Sequence, residues 1–197
     1  MMARSSAIHQ IEQYFDQNHF FSDLSRMVSI PTESQTPERS PELHRYLEDE
    51  IAEELAGMGF TFTIEKNPVA GGGPVLIAHR EEDPAYTTVL TYGHGDVVRG
   101  YDDQWRCDLS PWVLTQDGDR WFGRGSADNK GQHTINLASL RCVLACRGYL
   151  GFNIKVLIET GEEVGSVGLR EICEANKDRL SADVFIASDG PRIAPAR

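Results

Sequence analysis

Four short segments carry side chains able to do hydrolytic chemistry, each at the end of an apolar run. They are Thr91-Tyr-Gly-His94-Gly-Asp96, Gly123-Arg-Gly-Ser-Ala-Asp128-Asn-Lys-Gly131, Ile158-Glu-Thr-Gly-Glu162-Glu163 and Ala187-Ser-Asp189-Gly190. A neutral imidazole ligates a divalent cation well when its other ring nitrogen donates to an acceptor, which fixes the tautomer and raises the basicity. In His94-Gly95-Asp96 a ligand and an orienting acid stand two residues apart, on one side of an extended chain. Glu162 and Glu163 are neighbours in a turn and point in different directions, so one can ligate while the other faces water. Metal-assisted hydrolysis needs that division: a Lewis acid lowers the pKa of water and polarises a carbonyl, while a free base takes the proton.

Each segment alone also has a plain structural reading. His94 could be a polar residue at a strand end, and Asp128 could cap the helical pattern that follows it. Glu162 and Glu163 suit an acidic first helical turn, and Asp189 could open a turn with Gly190-Pro191. Four such tips in one chain are not explained by packing.

Taken in order, the segments resemble the zinc metallopeptidases that include acetylornithine deacetylase, succinyl-diaminopimelate desuccinylase, aminoacylase and carnosinase-type dipeptidases. The resemblance runs from about Pro31 to Gly190. It comprises G-H-x-D-V-V, a Trp/Pro segment from Trp105 to Trp112, G-R-G-x-x-D-x-K-G, E-T-G-E-E-x-G-S and S-D-G. It implies a di-metal site in which His94 and Asp189 hold one ion, Glu163 holds the other and Asp128 bridges them. Asp96 would orient His94, and Glu162 would be the general base toward a metal-activated water. The implied metal is zinc, two ions in the complete enzyme, with cobalt or manganese as replacements because mixed His/carboxylate sites do not select uniquely. The resemblance further implies a cis peptide bond between Asp128 and Asn129. Asp128-Asn129-Lys130-Gly131 is nearest the dipeptidase branch, which makes the substrate a dipeptide or an N-acyl amino acid.

Two positions depart from the family pattern: Gly95, where many relatives carry a larger or hydroxylated residue, and Arg99, where a proline is usual. Length is the larger departure. The family's chains continue into a lid or dimerisation domain and return with a further metal-binding histidine, forming homodimers. Residues 1–197 are therefore expected to be the N-terminal portion of the catalytic domain. His9, His19, His44, His79 and His133 lie in no matching context, so such a piece should bind at most one metal tightly and turn over poorly. The alternative is a truncated or degenerate catalytic half without activity, serving as a metal-binding or interaction domain. A serine hydrolase is disfavoured, since no G-x-S-x-G elbow occurs.

Composition narrows the classes. A 197-residue chain with 40% hydrophobic residues can bury a real core. Its 19 basic and 30 acidic residues give a net charge of −11, which argues against nucleic-acid or acidic-membrane partners. No membrane-length apolar run or secretory pattern is present, so a cytoplasmic location is expected. Cys107, Cys142, Cys146 and Cys173 are not spaced as a zinc knuckle. Cys142 and Cys146 lie one helical turn apart and read as packing residues on a buried helix face.

The elements that must carry these residues alternate. Helical spacing runs from Ile8 to Val28, broken near Asn18-His19. A proline-punctuated loop spans Pro31 to Pro41, followed by a helix from Pro41 to Met58 with Leu43, Tyr46, Leu47, Ile51 and Leu55 on one face. Strand patterns cover 60–65, 75–78, 87–92, 152–158 and 184–187. A hairpin is expected from Trp112–Thr115 and Arg120–Phe122 around Asp117-Gly118. Helices follow Lys130, burying Ile135, Leu137, Leu140, Val143 and Leu144, and span Val167 to Asn176. Trp105, Trp112 and Trp121 read as core and rim packing. The order predicts an α/β domain with helices on both faces of a twisted mixed sheet, the three-layer αβα sandwich that the resemblance also implies, incomplete at its C-terminus.

Overall fold

The computed structural model describes residues 2–190, with side chains from Arg4 onward. The first helical pattern divides at Asn18: α1 (Met2–Asp16) and α2 (His19–Ser29) flank it, and Asn18 itself is left-handed at φ 61°. Asparagine adopts that conformation more readily than other residues with a side chain. The expected helix after the proline loop starts at Ser40 and is continuous through α3 (Ser40–Arg45), a π-helical stretch (Tyr46–Ala52) and α4 (Glu53–Gly57). Leu43, Tyr46, Leu47, Ile51 and Leu55 are all buried, as their spacing requires.

Next come β1 (Thr61–Glu65), β2 (Val75–Arg80), β3 (Thr88–His94), β4 (Thr115–Asp117), β5 (Arg120–Phe122), α5 (Lys130–Arg147) and β6 (Asn153–Glu159). α6 (Leu169–Ala175), α7 (Lys177–Leu180) and β7 (Val184–Ala187) complete the described chain. The main sheet has the order β1-β2-β6-β3-β7, antiparallel from β1 to β6 and parallel from β6 to β7. Alternation along β2 divides the core. Leu76 and Ala78 pack with Tyr46, Ile51, Leu55 and α5 on one face, while Val75 and Ile77 pack with Leu157 and Ile172 of α6 on the other. The result is the expected three-layer arrangement with a mixed sheet.

Register is what the site depends on. His94 pairs with Glu159 and Tyr92 with Ala187, so the carboxyl ends of β3, β6 and β7 lie side by side. The three loops that follow them carry Asp96, Glu162 with Glu163, and Asp189, at the sheet edge where α/β folds place their ligands. The smaller β4–β5 hairpin turns through Gly118, at φ 64°. It begins at Thr115 rather than Trp112. Trp121 anchors it, stacking on Phe15 and Phe20 and meeting Phe21 edge-on.

One expected core residue is outside. Ile135 is 55% exposed, whereas Leu137 and Leu140 are buried and Val143 and Leu144 pack partly against the core. Residues i and i+2 lie about 200° apart around a helix, so Ile135 and Leu137 cannot share a face. The cysteines are all free; Cys142 is buried, and Cys146 donates to Gln10. No helix among the described residues is long and apolar enough to cross a membrane.

β7 is an edge strand with Val184, Phe185 and Ile186 exposed by 43, 62 and 48%. Apolar edge strands template pairing with other chains. We therefore expect concentration-dependent self-association that Phe185→Lys suppresses in sedimentation velocity. An exposed substitution of this kind should shift unfolding free energy by no more than about 0.5 kcal/mol.

Candidate metal centre

His94 ends β3 between two glycines that have a steric reason. A Cβ on Gly95 would lie 2.5 Å from the Tyr46 ring, and one on Gly93 would lie 2.9 Å from Asn129 Oδ1. The departure at Gly95 is thus explained by the aromatic ring packed against it. His94 is fully buried; its Nδ1 donates to the Asp96 carbonyl at 3.0 Å and lies 3.3 Å from the Asp96 carboxylate. That leaves Nε2 directed at acidic side chains: Asp128 at 3.1 Å, Asp189 at 3.6 Å and Glu162 at 3.9 Å.

Asp96 does more than flank the imidazole. Its two carboxylate oxygens accept the backbone N–H groups of Glu162 and Glu163 at 3.2 and 3.1 Å, which pins the glutamate turn beside β3. Glu159 supports the same turn from β6: its buried carboxylate accepts from Tyr92 at 2.6 Å and from Ser166 at 2.9 Å. The Asp128–Asn129 peptide bond is cis, as the resemblance implied. The cap position of α5 belongs to Asn129, not Asp128.

Among the described residues one group of metal-capable side chains closes up: His94, Glu162 and Asp189, each with a ligand atom within 4.8 Å of the others. Asp128 faces the same imidazole nitrogen from a more exposed position. Glu163 stands beyond it, its carboxyl raised first by burial and next by the Asp128 charge. Burial and then the charge of Asp189, Asp96 and Asp128 raise Glu162 also, against the opposing pull of His94. At His94 burial acts downward, but the hydrogen bond and charge of Asp96, with Asp189 and Glu162, outweigh it and lift the imidazole to about 9. The site therefore calls for positive charge at one point. Imidazole nitrogen plus carboxylate oxygens is a donor set that suits zinc, cobalt or manganese, so the residues present fit a divalent cation.

Behind the imidazole lie Asn129, His133, Tyr46 and Lys130, whose mutual contacts no local pattern foretells. Asn129 Oδ1 accepts from the His94 backbone N–H and faces His133 Nδ1, both at 3.2 Å. Since that oxygen can only accept, His133 Nδ1 carries the proton and Nε2 accepts from the Tyr46 hydroxyl at 2.6 Å. Burial drives His133 down to about 3, which keeps it neutral. Lys130 is also fully buried: Nζ donates to the Met27 and Ile30 carbonyls at 2.8 and 2.7 Å and sits 4.8 Å over the Tyr46 ring. It thereby satisfies carbonyls at the end of α2, while burial lowers its amine to about 7. A sequence signal existed: Lys130, His133, Leu137 and Leu140 share one helical face, so two polar groups had to be buried with the leucines.

Residues 90–194 match the model of peptidase family M20/M25/M40. The chain belongs to that family. It is 30% identical over 181 residues to a cysteinylglycine-S-conjugate dipeptidase of Corynebacterium striatum, covering 91% of this chain and 38% of that protein. It is 34% identical over 199 residues to the human Beta-Ala-His dipeptidase, covering 92% and 38%. The crystal structure of human carnosine dipeptidase 1 superposes with a TM-score of 0.85 at 31% identity, over 96% of this chain and 42% of that one. The chain thus spans about two fifths of the length of these M20/M25/M40 relatives.

The buried polar chain behind His94 gives a stability prediction. Tyr46→Phe removes one hydroxyl and leaves the buried His133 Nε2 without a donor. The expected loss is about 1–3 kcal/mol in a denaturant titration. No change would mean that the hydroxyl contributes nothing to the network.

Proposed function

We propose that this chain carries the metal-binding part of a dipeptidase-type site, for hydrolysis of the amide bond of a dipeptide or N-acyl amino acid. The observation that carries this reading is the convergence of Asp128, Asp189 and Glu162 on the single free nitrogen of a buried, oriented histidine at the ends of parallel strands. The family and the names of its dipeptidase relatives support the reaction class. The share of those relatives that is covered, 38% in each case, supports taking residues 1–197 as a portion of such an enzyme.

His94 and Asp189 would hold one zinc ion, Asp128 would bridge to a second position, and Glu163 would ligate there. When bound, such ions act as Lewis acids that acidify water and polarise the scissile carbonyl. The chain's own residues supply the rest. Asp96 fixes the His94 tautomer through Nδ1 and holds the Glu162–Glu163 turn in place. Glu162 takes the proton from water on a carboxylate oxygen and returns it to the leaving nitrogen. A carboxyl raised by burial and by its acidic neighbours is suited to hold that proton between the two transfers.

The ligand set limits the metal count. The first position has His94, Asp189 and the Asp128 bridge, which is three protein ligands and an adequate zinc site. The second has Asp128 and Glu163, two carboxylates only. We expect one tightly held zinc per 197-residue chain, not two, in elemental analysis after dialysis, and little hydrolysis of Cys-Gly or β-alanyl-histidine. Two tightly held ions with brisk turnover would show that this division of ligands is wrong.

The role of Glu162 separates from those of the ligands. Glu162→Gln should keep the zinc stoichiometry and lower whatever hydrolysis the chain shows by a factor on the order of 10²–10⁴. Asp189→Asn should instead release zinc. Equal zinc loss in the two variants would make Glu162 a ligand and not a base.

A further inference from the structure

We infer that Asn129 is a positioning residue, whose buried side-chain amide ties the strand ends bearing His94 and Asp189 together and so sets the affinity of the site for a divalent cation. The inference rests on the metal-site reading above and adds a residue that does not touch the metal. Asn129 is fully buried and stands at the N-terminal cap of α5, yet its side chain makes no capping hydrogen bond. It is turned toward the sheet. Oδ1 accepts the His94 backbone N–H at 3.2 Å. Nδ2 donates to the Ser188 carbonyl at 2.5 Å, lies 3.3 Å from Asp189 Oδ1, and reaches Gln132 Oε1 at 3.0 Å.

The strand pairing explains why such a clamp is needed. The β3–β7 register ends at Tyr92 and Ala187, extended only by the Ser188 N–H to the Tyr92 carbonyl. The ligands lie just past that point, on loops that carry like charges around one nitrogen. One amide spans the gap, with its acceptor end on the β3 backbone and its donor end on the loop after β7. Its orientation is fixed chemically: Oδ1 faces two N–H groups, His94 and His133, while Nδ2 faces three oxygens. A flipped amide would set donor against donor. Tyr46 holds His133 from behind, and the missing side chain at Gly93 leaves the room that the amide occupies. Partners of metal ligands that fix ligand orientation typically affect metal affinity by about 10–100-fold.

The test titrates the 197-residue chain with zinc chloride in competition with a chromophoric chelator. Asn129→Ala should weaken zinc binding by about 10–100-fold while the zinc-free protein still unfolds cooperatively. Gln132→Ala, which removes only the third acceptor, should bind as the parent does. Should Asn129→Ala fail to fold, Gly93→Ala replaces it, because the added methyl displaces the amide from outside; it too should weaken binding. Parent-like zinc affinity in whichever of these variants is folded overturns the inference, since a residue serving only stability would lower the melting temperature and leave affinity intact. If the parent chain binds no zinc, the metal-site reading fails by itself. The clamp is then judged by hydrogen exchange of the His94 amide: faster exchange in Asn129→Ala with Leu90 unchanged sustains it, and unchanged His94 exchange overturns it.

Discussion

The structure is organised around one electrostatic constraint: several carboxylates must stay close to one another and to a single buried imidazole nitrogen. Burial and mutual repulsion push Glu162 and Glu163 upward, and the acidic surroundings lift His94 against the effect of its own burial. Left to solvent, these side chains would spread apart. They stay because their backbones are fixed, on three adjacent parallel strand ends whose register is set by the ladders of β3 with β6 and β7. Asp96 completes the restraint by capping the glutamate turn with the same carboxylate that flanks His94.

That front is rigid only if its rear is. Behind His94 the polar groups form a closed sequence from Asn129 to His133 to Tyr46, with Lys130 stacked beneath and bonded to the end of α2. Buried polar networks stabilise when every member has a partner and are costly when one is missing. Here burial also decides charge states. His133 is kept neutral, so it can donate to the Asn129 amide on one nitrogen and accept from Tyr46 on the other. The site and the core are joined through Tyr46, whose ring lies against Gly95 and whose hydroxyl holds His133.

The sheet is unevenly covered. α2, the π-helical stretch, α4 and α5 bury one face thoroughly, while the short α6 and α7 cover only part of the other and leave β7 exposed along its length. The uncovered edge lies next to Asp189. The same strand therefore delivers a ligand and presents an apolar surface.

The sequence by itself determined the elements and the chemistry-bearing residues. Period-3.6 and period-2 patterns are local properties of the chain. They located the helices, the strands and the buried face of Leu43, Tyr46, Leu47, Ile51 and Leu55. The motifs likewise point to His94, Asp96, Glu162, Glu163 and Asp189 just at or after strands, and to Asp128 in a turn before a helix. Ile135 is apolar, but its angle around the helix turns it away from Leu137 and into solvent. What only the tertiary structure decided is which side chains meet. Asn129 and Lys130 belong to a motif and His133 to no matching context, and none of the three reveals its partner in the sequence. Their partners are Ser188, Met27 with Ile30, and Tyr46, which lie 59, 103 with 100, and 87 residues away in the chain. Hydrogen bonds at such separations are set by strand order and helix packing, which no local pattern encodes, and the same holds for the closeness of Glu162 and Asp189 to one imidazole nitrogen.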